Sequence, residues 1–227
     1  MAVPLDVLFE DNHLLVVCKP ACLPTVPDAS GDESLLDRAK LWIKERYAKP
    51  GDVFLGVVQR LDRPVSGVIV FARTSKAAAR LSLMLREHRI QKVYLALGEG
   101  LARGDAGELE QWLVKDERTN RVESFAHERA GAQRALTRWR VLARRNDRTL
   151  YEFAPLTGRP HQLRSAAVAL GTPLVGDLKY GASAPLPDKS IALHARTLSF
   201  EHPVQGGLVQ FEAPLPLLAI WDLARQS

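Results

Sequence analysis

One carboxylate stands between two arginines and between two apolar runs in the stretch Val57-Val58-Gln59-Arg60-Leu61-Asp62-Arg63-Pro64-Val65-Ser66-Gly67-Val68-Ile69-Val70-Phe71. The arginines favour the ionised form of Asp62, and the Pro-Val-Ser-Gly segment predicts a turn that holds the backbone in a fixed bend. A carboxylate kept ionised beside cations can act as a nucleophile or a base. An Arg–Asp ion pair that ties a loop to a sheet would leave the same pattern, so the residues alone favour neither interpretation.

A second informative stretch reads Leu156-Thr157-Gly158-Arg159-Pro160-His161-Gln162-Leu163-Arg164 and lies between a strand-like run and an apolar helical run. Thr157 is expected to cap the new helix and Pro160 to lie in its first turn. His161 and Arg164, three residues apart, would then share one helix face. A helix N-terminus with two arginines and a histidine is suited to binding an anion. A capped surface helix with solvated arginines is the alternative.

The basic residues are concentrated in two parts of the chain. The whole chain of 227 residues has a formal net charge of +5 and a sequence pI of about 9.4. Between Val57 and Lys92 eight basic residues face only two acids, and a second cluster comprises Arg134, Arg138, Arg140, Arg144, Arg145 and Arg148. Such clusters suit a polyanion whose phosphates they would contact without reading its sequence. Solvated helix faces are the alternative, above all for Lys76 and Arg80.

The remaining composition indicates an ordinary globular protein. Hydrophobic residues make up 46% of the chain, enough for a sizeable core. The two cysteines, Cys18 and Cys22, lack the second ligand pair of a zinc site and are expected to be reduced, in or near the core. No basic leader, long apolar h-region or membrane-length run is visible. We therefore expect a soluble cytoplasmic protein with no metal.

Strands are predicted to outnumber helices. We expect strands at Val7–Glu10, Leu14–Val17, 68–73, Val93–Leu97 and 150–153, and a half-buried strand where Trp139 and Val141 alternate with arginines. Helices are expected from Leu35 to Tyr47 after a Ser34 cap, after Thr74 or Ser75, and from Leu215 to Arg225. In the second of these, the core stripe would be Ala77, Leu81, Met84, Leu85 and His88; in the last, Leu217, Leu218, Trp221 and Leu223. Residues 101–134 are expected to form connecting strands and loops. Because strands and helices do not alternate regularly, an antiparallel or mixed α+β sheet is favoured.

Together the two stretches resemble the RluA-type pseudouridine synthases. The first is similar to the family's His-Arg-Leu-Asp block with its Thr-Ser-Gly turn, and the second to Thr-Gly-Arg-Thr-His-Gln-Ile-Arg. Weaker matches follow in the family's order: Lys19-Pro20-Ala21, Lys92-Val93-Tyr94-Leu95-Ala96, Gly176-Asp177 with Tyr180-Gly181, Leu193-His194-Ala195, and His202-Pro203. The departures are Gln59, Val65 and Pro160, with Cys22 where a glycine is usual. They concern local hydrogen bonding and the substrate more than the chemistry.

The resemblance implies an enzyme that isomerises uridines of ribosomal or transfer RNA to pseudouridine without a cofactor. It implies a pseudouridine-synthase-like catalytic domain over residues 1–227, with a central, mostly antiparallel sheet flanked by helices and loops. No N-terminal S4-type RNA-binding domain is expected, and we expect a monomer. Asp62, Tyr94 and Arg164 would be catalytic, with Arg164 pairing with Asp62. Arg60, which would displace the target base, would contact RNA together with Arg63, Arg159 and His161.

Two other functions fit parts of the sequence. A non-catalytic RNA-binding protein would need the basic residues but not Asp62, Tyr94 and Arg164 together. A glycosidase with Asp62 as nucleophile would usually need a second carboxylate, for which Asp177 is a weak candidate.

Overall fold

The computed structural model describes residues 5–226. Its strands are β1 (Asp6–Glu10), β2 (Leu14–Lys19), β3 (Gly56–Val57), β4 (Ser66–Ala72), β5 (Gln91–Glu99), β6 (Ala106–Asp116), β7 (Arg121–Phe125), β8 (Gln133–Arg145), β9 (Arg148–Pro155), β10 (Leu193–Glu201) and β11 (Leu208–Glu212). Its α-helices are α1 (Leu35–Arg46), α2 (Ser75–Arg86), α3 (Gln162–Ala169) and α4 (Asp222–Arg225), with 3₁₀ turns at Leu178–Tyr180 and Ala219–Trp221. Within the described range, no helix has both the length and the apolar character needed to cross a bilayer. The α+β class expected from the sequence is confirmed.

Two compact units share these elements. The first comprises Met1–Gln91 and Ala195–Pro214, and the second Lys92–His194 and Leu215–Ser227. In the first unit, β1, β2, β4 and β10 lie in that order, with β3 on β4 and β11 on β10. All seven residues of β4 are buried, as are Leu14 to Val17 of β2. This burial on both faces explains why the two strands read as continuous apolar runs rather than alternating ones.

The β2–β4 register positions the Asp62 loop. The two strands are antiparallel, and Lys19 at the end of β2 lies opposite Gly67 at the start of β4. Gly67 has φ +121° and packs so closely on Ala195 that a Cβ at this position would lie 2.2 Å from the Ala195 carbonyl oxygen. Only glycine meets both conditions. The antiparallel register therefore places the loop before β4 next to the end of β2.

The second unit is an antiparallel array in the order β5, β9, β8, β6 and β7. Leu95, Leu97, Leu150 and Trp221 belong to its buried core, which Leu218 and Leu223 partly cover. The half-buried strand predicted around Trp139 is confirmed as β8, in which Ala135 and Thr137 are buried while Arg138 and Arg140 are exposed.

Two α-helices have the caps that the sequence predicts. Ser34 and Asp37 form a reciprocal capping box at α1, and Thr74 accepts a bond from the Ala77 amide at α2. Helix α2 ends earlier than expected, because Glu87 is its C-cap and His88 has φ +56° and is exposed. His88 therefore does not join the core stripe.

Three other expectations are corrected. Helix α3 begins at Gln162 rather than at Thr157, since His161 is its N-cap in a left-handed conformation with φ +50°. The C-terminal segment forms only a 3₁₀ turn and the short α4, and Leu217 is 96% exposed. Cys22 is exposed with φ +63° and so does not lie in the core, and neither Cys18 nor Cys22 forms a disulfide with a described residue.

Candidate active site

Asp62 begins a tight turn whose backbone is held on both sides. The Val65 amide donates to the Asp62 carbonyl at 3.0 Å, which closes the turn over Arg63 and Pro64. The hydroxyl of buried Thr25 donates to the Leu61 carbonyl at 2.8 Å and accepts from the Leu61 amide at 3.2 Å. Asp62 itself is half-buried. Its position is therefore set by contacts with a segment more than thirty residues earlier in the chain.

Lys19 holds the other side of this turn. Its side chain is completely buried, and Nζ donates to the carbonyls of Pro20 at 3.0 Å, Leu23 at 2.6 Å and Arg63 at 3.1 Å. Burial lowers the pKa of Lys19 to about 7, while the Cys22 thiol and the Asp62 carboxylate act in the opposite direction. Lys19 is thus both a clasp on the turn and a positive charge near Asp62.

The two arginines that flank Asp62 are placed differently. Arg60 is exposed, and among residues 5–226 no carboxylate pairs with it. Arg63 instead donates to Asp32 at 2.6 Å and to Ser30 at 2.8 Å, which fastens the 28–32 loop. Arg60 is therefore the more available of the two cations.

The predicted loop before α3 is locked by Gln162. Its Oε1 accepts from the Thr157 hydroxyl at 2.8 Å and from the Arg159 amide at 3.0 Å. Its Nε2 donates at 2.9 Å to the Leu136 carbonyl and to the Thr137 hydroxyl. Thr157 also accepts from the Leu136 amide. These bonds to strand β8 use Thr157 as a loop anchor rather than as a helix cap.

Arg164 is buried and is held by Asp177. Its Nε and Nη2 each donate to one carboxylate oxygen of Asp177 at 2.7 Å, and the two side chains are 7% and 1% exposed. The guanidinium carbon also lies 4.7 Å from the ring centroid of Tyr180. The arginine is therefore fixed by a bidentate ion pair and by an aromatic face.

Tyr180 joins this pair to His161. Its hydroxyl accepts from the Val122 amide at 2.8 Å and shares a 2.8 Å hydrogen bond with His161 Nδ1. The His161 ring is buried, which favours a positioning role over direct contact with RNA. Sequence reasoning missed the roles of Lys19, Thr25, Gln162 and Tyr180, although all but Thr25 stand in the motifs quoted above.

Asp177 does not supply the second carboxylate that a glycosidase would need. Both of its oxygens are engaged by Arg164 and the side chain is fully enclosed. A general acid must reach the leaving group and carry a proton. The weak candidate suggested by the sequence is therefore wrong.

Tyr94 lies on β5 opposite Phe153 of β9 and is half-buried. Arg159, on the loop before α3, is exposed and its Nε donates to the Arg134 carbonyl at 3.0 Å. Asp62, Arg60 and Arg63 thus belong to the first unit, and Tyr94, Arg159, His161 and Arg164 to the second. The expected pairing of Arg164 with Asp62 stays a prediction.

The second basic cluster is largely neutralised within the sheet. Arg134 pairs with Glu110 at 2.9 Å, Arg138 with Glu108 at 3.0 Å, Arg140 with Glu152 at 2.8 Å and Arg144 with Asp105 at 2.8 Å. Strands β6 and β9 carry the three glutamates, and Asp105 directly precedes β6, so the first three pairs are cross-strand pairs. The expectation of a free basic face at this cluster is not supported. In the range 5–226 no group of His, Cys, Asp or Glu is arranged to hold a metal ion.

Comparison with known proteins identifies the family. Residues 13–169 match the family model described as RNA pseudouridylate synthase. The dual-specificity RNA pseudouridine synthase RluA of Haemophilus influenzae is 36% identical over 214 residues, which cover 92% of each chain. The ribosomal large subunit pseudouridine synthase D of Xanthomonas campestris is 35% identical over 94% of this chain and 67% of its own length. The structure of human RNA pseudouridylate synthase domain containing 4 superposes with a TM-score of 0.79 at 24% identity, over 97% of this chain and 92% of that one.

These matches define an isomerase that acts on RNA. The chain belongs to the RNA pseudouridine synthase family, and within it to the RluA type. The pseudouridine-synthase fold inferred from the sequence motifs is confirmed by the structural similarity.

Proposed function

We propose that this protein isomerises specific uridines of ribosomal or transfer RNA, with Asp62 as its catalytic carboxylate. The names of the relatives support these substrates, since one is a dual-specificity RNA enzyme and another is a ribosomal large subunit enzyme. The observation that carries the assignment of Asp62 is its half-buried turn, which Thr25 and Lys19 clamp and which follows Arg60, an arginine that pairs with no carboxylate of residues 5–226. We further propose one catalytic domain that acts as a monomer in the cytoplasm.

The chemistry requires a fixed carboxylate. The bond between C1′ and N1 of the target uridine breaks, the uracil turns, and a bond forms between C1′ and C5. The C5 hydrogen leaves as a proton and N1 regains one, so the reaction is redox-neutral and the proposal includes no cofactor. Positive charge develops at C1′ when the glycosidic bond breaks, and an ionised Asp62 would stabilise that centre or bond to it. Removal of the C2′ proton by the same carboxylate is the alternative first step.

The other proposed residues serve base extrusion and orientation. Extruding a stacked base costs a few kcal/mol, and a side chain that fills the vacancy lowers this cost. Arg60 is suited to that role because it is exposed and close in sequence to Asp62. Tyr94 would stack on the uracil or relay a proton. Asp177 occupies the Nε and Nη2 edge of Arg164, so the proposed pairing with Asp62 would use Nη1. Arg63 and Arg159 would contribute to the RNA interface, and His161 would support it from within through its hydrogen bond to Tyr180.

Tritium release from RNA labelled at C5 of uridine tests the proposal. Isomerisation releases tritium into water and leaves the RNA chain intact, whereas glycosidase action releases free uracil and mere binding releases neither. Asp62→Asn should abolish release in a single turnover while retaining the fold and the affinity for RNA. Asn keeps the shape of Asp but cannot supply the charge or the nucleophile.

Asp52→Asn is the matched control, because Asp52 is an exposed carboxylate of the same unit. This variant should retain the wild-type rate. Substantial turnover by Asp62→Asn would remove the central assignment. Mapping pseudouridine in cells with and without the protein would then identify the RNA and the position.

A further inference from the structure

Lys92 is the first residue of β5 that belongs to the second unit, and the described residues offer its side chain no hydrogen-bond acceptor. It is half-buried, and among the described residues nothing makes a hydrogen bond or an ion pair with its ammonium. Nζ lies against the loop before α3, 3.8 Å from where a Cβ on Gly158 would stand. Gly158 itself is exposed. The ammonium therefore lies at the surface of a loop that already carries the exposed Arg159.

Comparison with Lys19 shows that burial alone does not account for the missing acceptors of Lys92. Lys19 is completely buried, and three carbonyl oxygens accept hydrogen bonds from its ammonium. Burial lowers the pKa of Lys92, and no neighbouring acid opposes the shift. A half-buried cation that has no acceptor among the described residues is partly desolvated, which costs free energy. Such a cost is expected where a ligand supplies the missing anion.

The strand and the loop around Lys92 are held by hydrogen bonds, and the strand also carries Tyr94. Lys92 and Tyr94 stand two residues apart on one strand, so their side chains leave it on the same face, roughly 6.6 Å apart. The loop that carries Gly158 is locked by the hydrogen bonds of Gln162. A preorganised cation beside a residue that would hold the target base is well placed for that nucleotide's backbone.

We propose that Lys92 binds a phosphodiester group of the substrate RNA next to the target uridine. The inference rests on the proposed function, and it adds an anion site on the strand of Tyr94. RNA offers one negative charge per nucleotide, and the compact ammonium of lysine is a usual phosphate ligand. Lys92 would position the RNA strand. It would therefore contribute to RNA binding rather than to the chemical step.

Neutral phosphate replacements test the proposal. The probe is the RNA stem–loop that the wild type binds most tightly among ribosomal and transfer RNA fragments. Each phosphodiester of its loop is replaced in turn by a methylphosphonate. One replacement should weaken binding to the wild type by about tenfold. Lys92→Met should bind the unmodified RNA more weakly by a similar factor and should be insensitive to that one replacement.

Two further measurements separate binding from structure. The slope of log affinity against log salt should be smaller by about 0.7 for Lys92→Met, as expected for one lost phosphate contact on a single strand. Its urea midpoint should equal or exceed that of the wild type, because an apolar side chain of similar length replaces an uncompensated cation. Lys44→Met, which removes an exposed lysine of α1, should leave affinity, the methylphosphonate response and stability unchanged.

The outcomes are distinct from those of the proposed function. If Lys92→Met keeps the wild-type response at every linkage, or unfolds at a lower urea concentration than the wild type, Lys92 is not a phosphate ligand. Failure of the proposed function would instead appear as a wild type that releases no tritium from any RNA. Because the affinity measurements need no turnover, they decide about Lys92 in either case.

Discussion

The buried pair of Arg164 and Asp177 makes a sharp prediction about stability. In Asp177→Asn, the amide oxygen can still accept one bond from Arg164, but the amide nitrogen then faces a second guanidinium donor. The mutation takes the negative charge of Asp177 away from an enclosed cation, since the two side chains are 7% and 1% exposed. Removing one partner of a buried ion pair typically costs about 3–5 kcal/mol. We expect a loss in this range, reduced somewhat by the remaining contact of Arg164 with Tyr180 and by its proposed pairing with Asp62.

Urea unfolding at pH 7, followed by tryptophan fluorescence and circular dichroism, measures the loss. The control is Asp105→Asn, which removes the carboxylate of an exposed pair with Arg144, where Asp105 is 88% exposed. Exposed pairs contribute about 0–1 kcal/mol, so this variant should unfold close to the wild type. Replacing both members of the buried pair, as Arg164→Met with Asp177→Leu, should recover most of the loss because neither charge of this pair remains to be buried. A loss for Asp177→Asn no larger than for Asp105→Asn would refute the reasoning.

Three further predictions concern the Asp62 loop. Burial lowers the pKa of Lys19 to about 7, so between that value and about 10.4 the unfolded chain binds more protons than the folded one. The free energy of unfolding should therefore rise with pH above 7, by up to about 1.4 kcal/mol per unit, relative to Lys19→Met; a pH-independent difference would contradict this. Gly67→Ala, whose Cβ would lie 2.2 Å from Ala195, should lose more than about 3 kcal/mol or fail to fold. Gly31 has φ +73°, but nothing lies within 4 Å of where its Cβ would stand. Gly31→Ala should therefore lose only about 1 kcal/mol of stability. Arg60→Ala should lower turnover more on folded than on unstructured RNA, because extrusion costs less in the latter; equal losses would count against base displacement.

The parts of the fold that the sequence predicts well are those set by near neighbours. The caps Ser34 and Thr74 act within three residues, so the starts of α1 and α2 can be read directly. The start of α3 could not be read in this way. The Thr157 hydroxyl accepts a hydrogen bond from the amide of Leu136 in β8 and therefore does not cap the helix. Its local pattern still resembles a cap. The structure differs because a long-range bond competes with the local one.

At the candidate site too, the motifs name residues but not the residues that they contact. The motifs identify Asp62 and Arg164, but not that Lys19 clasps the Asp62 turn from 44 positions away. They also do not indicate that both carboxylate oxygens of Asp177 accept hydrogen bonds from Arg164. Both contacts depend on how strands and loops are brought together, which a motif does not encode.

Charge illustrates why the partners of a residue matter more than its position in a cluster. The second basic cluster is dense in the sequence, yet four of its arginines pair with acids, three of them across neighbouring strands. Lys92 is a single residue at the edge of the first cluster, and nothing in the described range offsets its charge. Cross-strand pairs at the surface contribute little to stability and hold the arginines away from a ligand. A half-buried cation without a partner in the described range has no such competing contact, so the RNA contacts of this protein should follow unmatched charge rather than the local density of arginine.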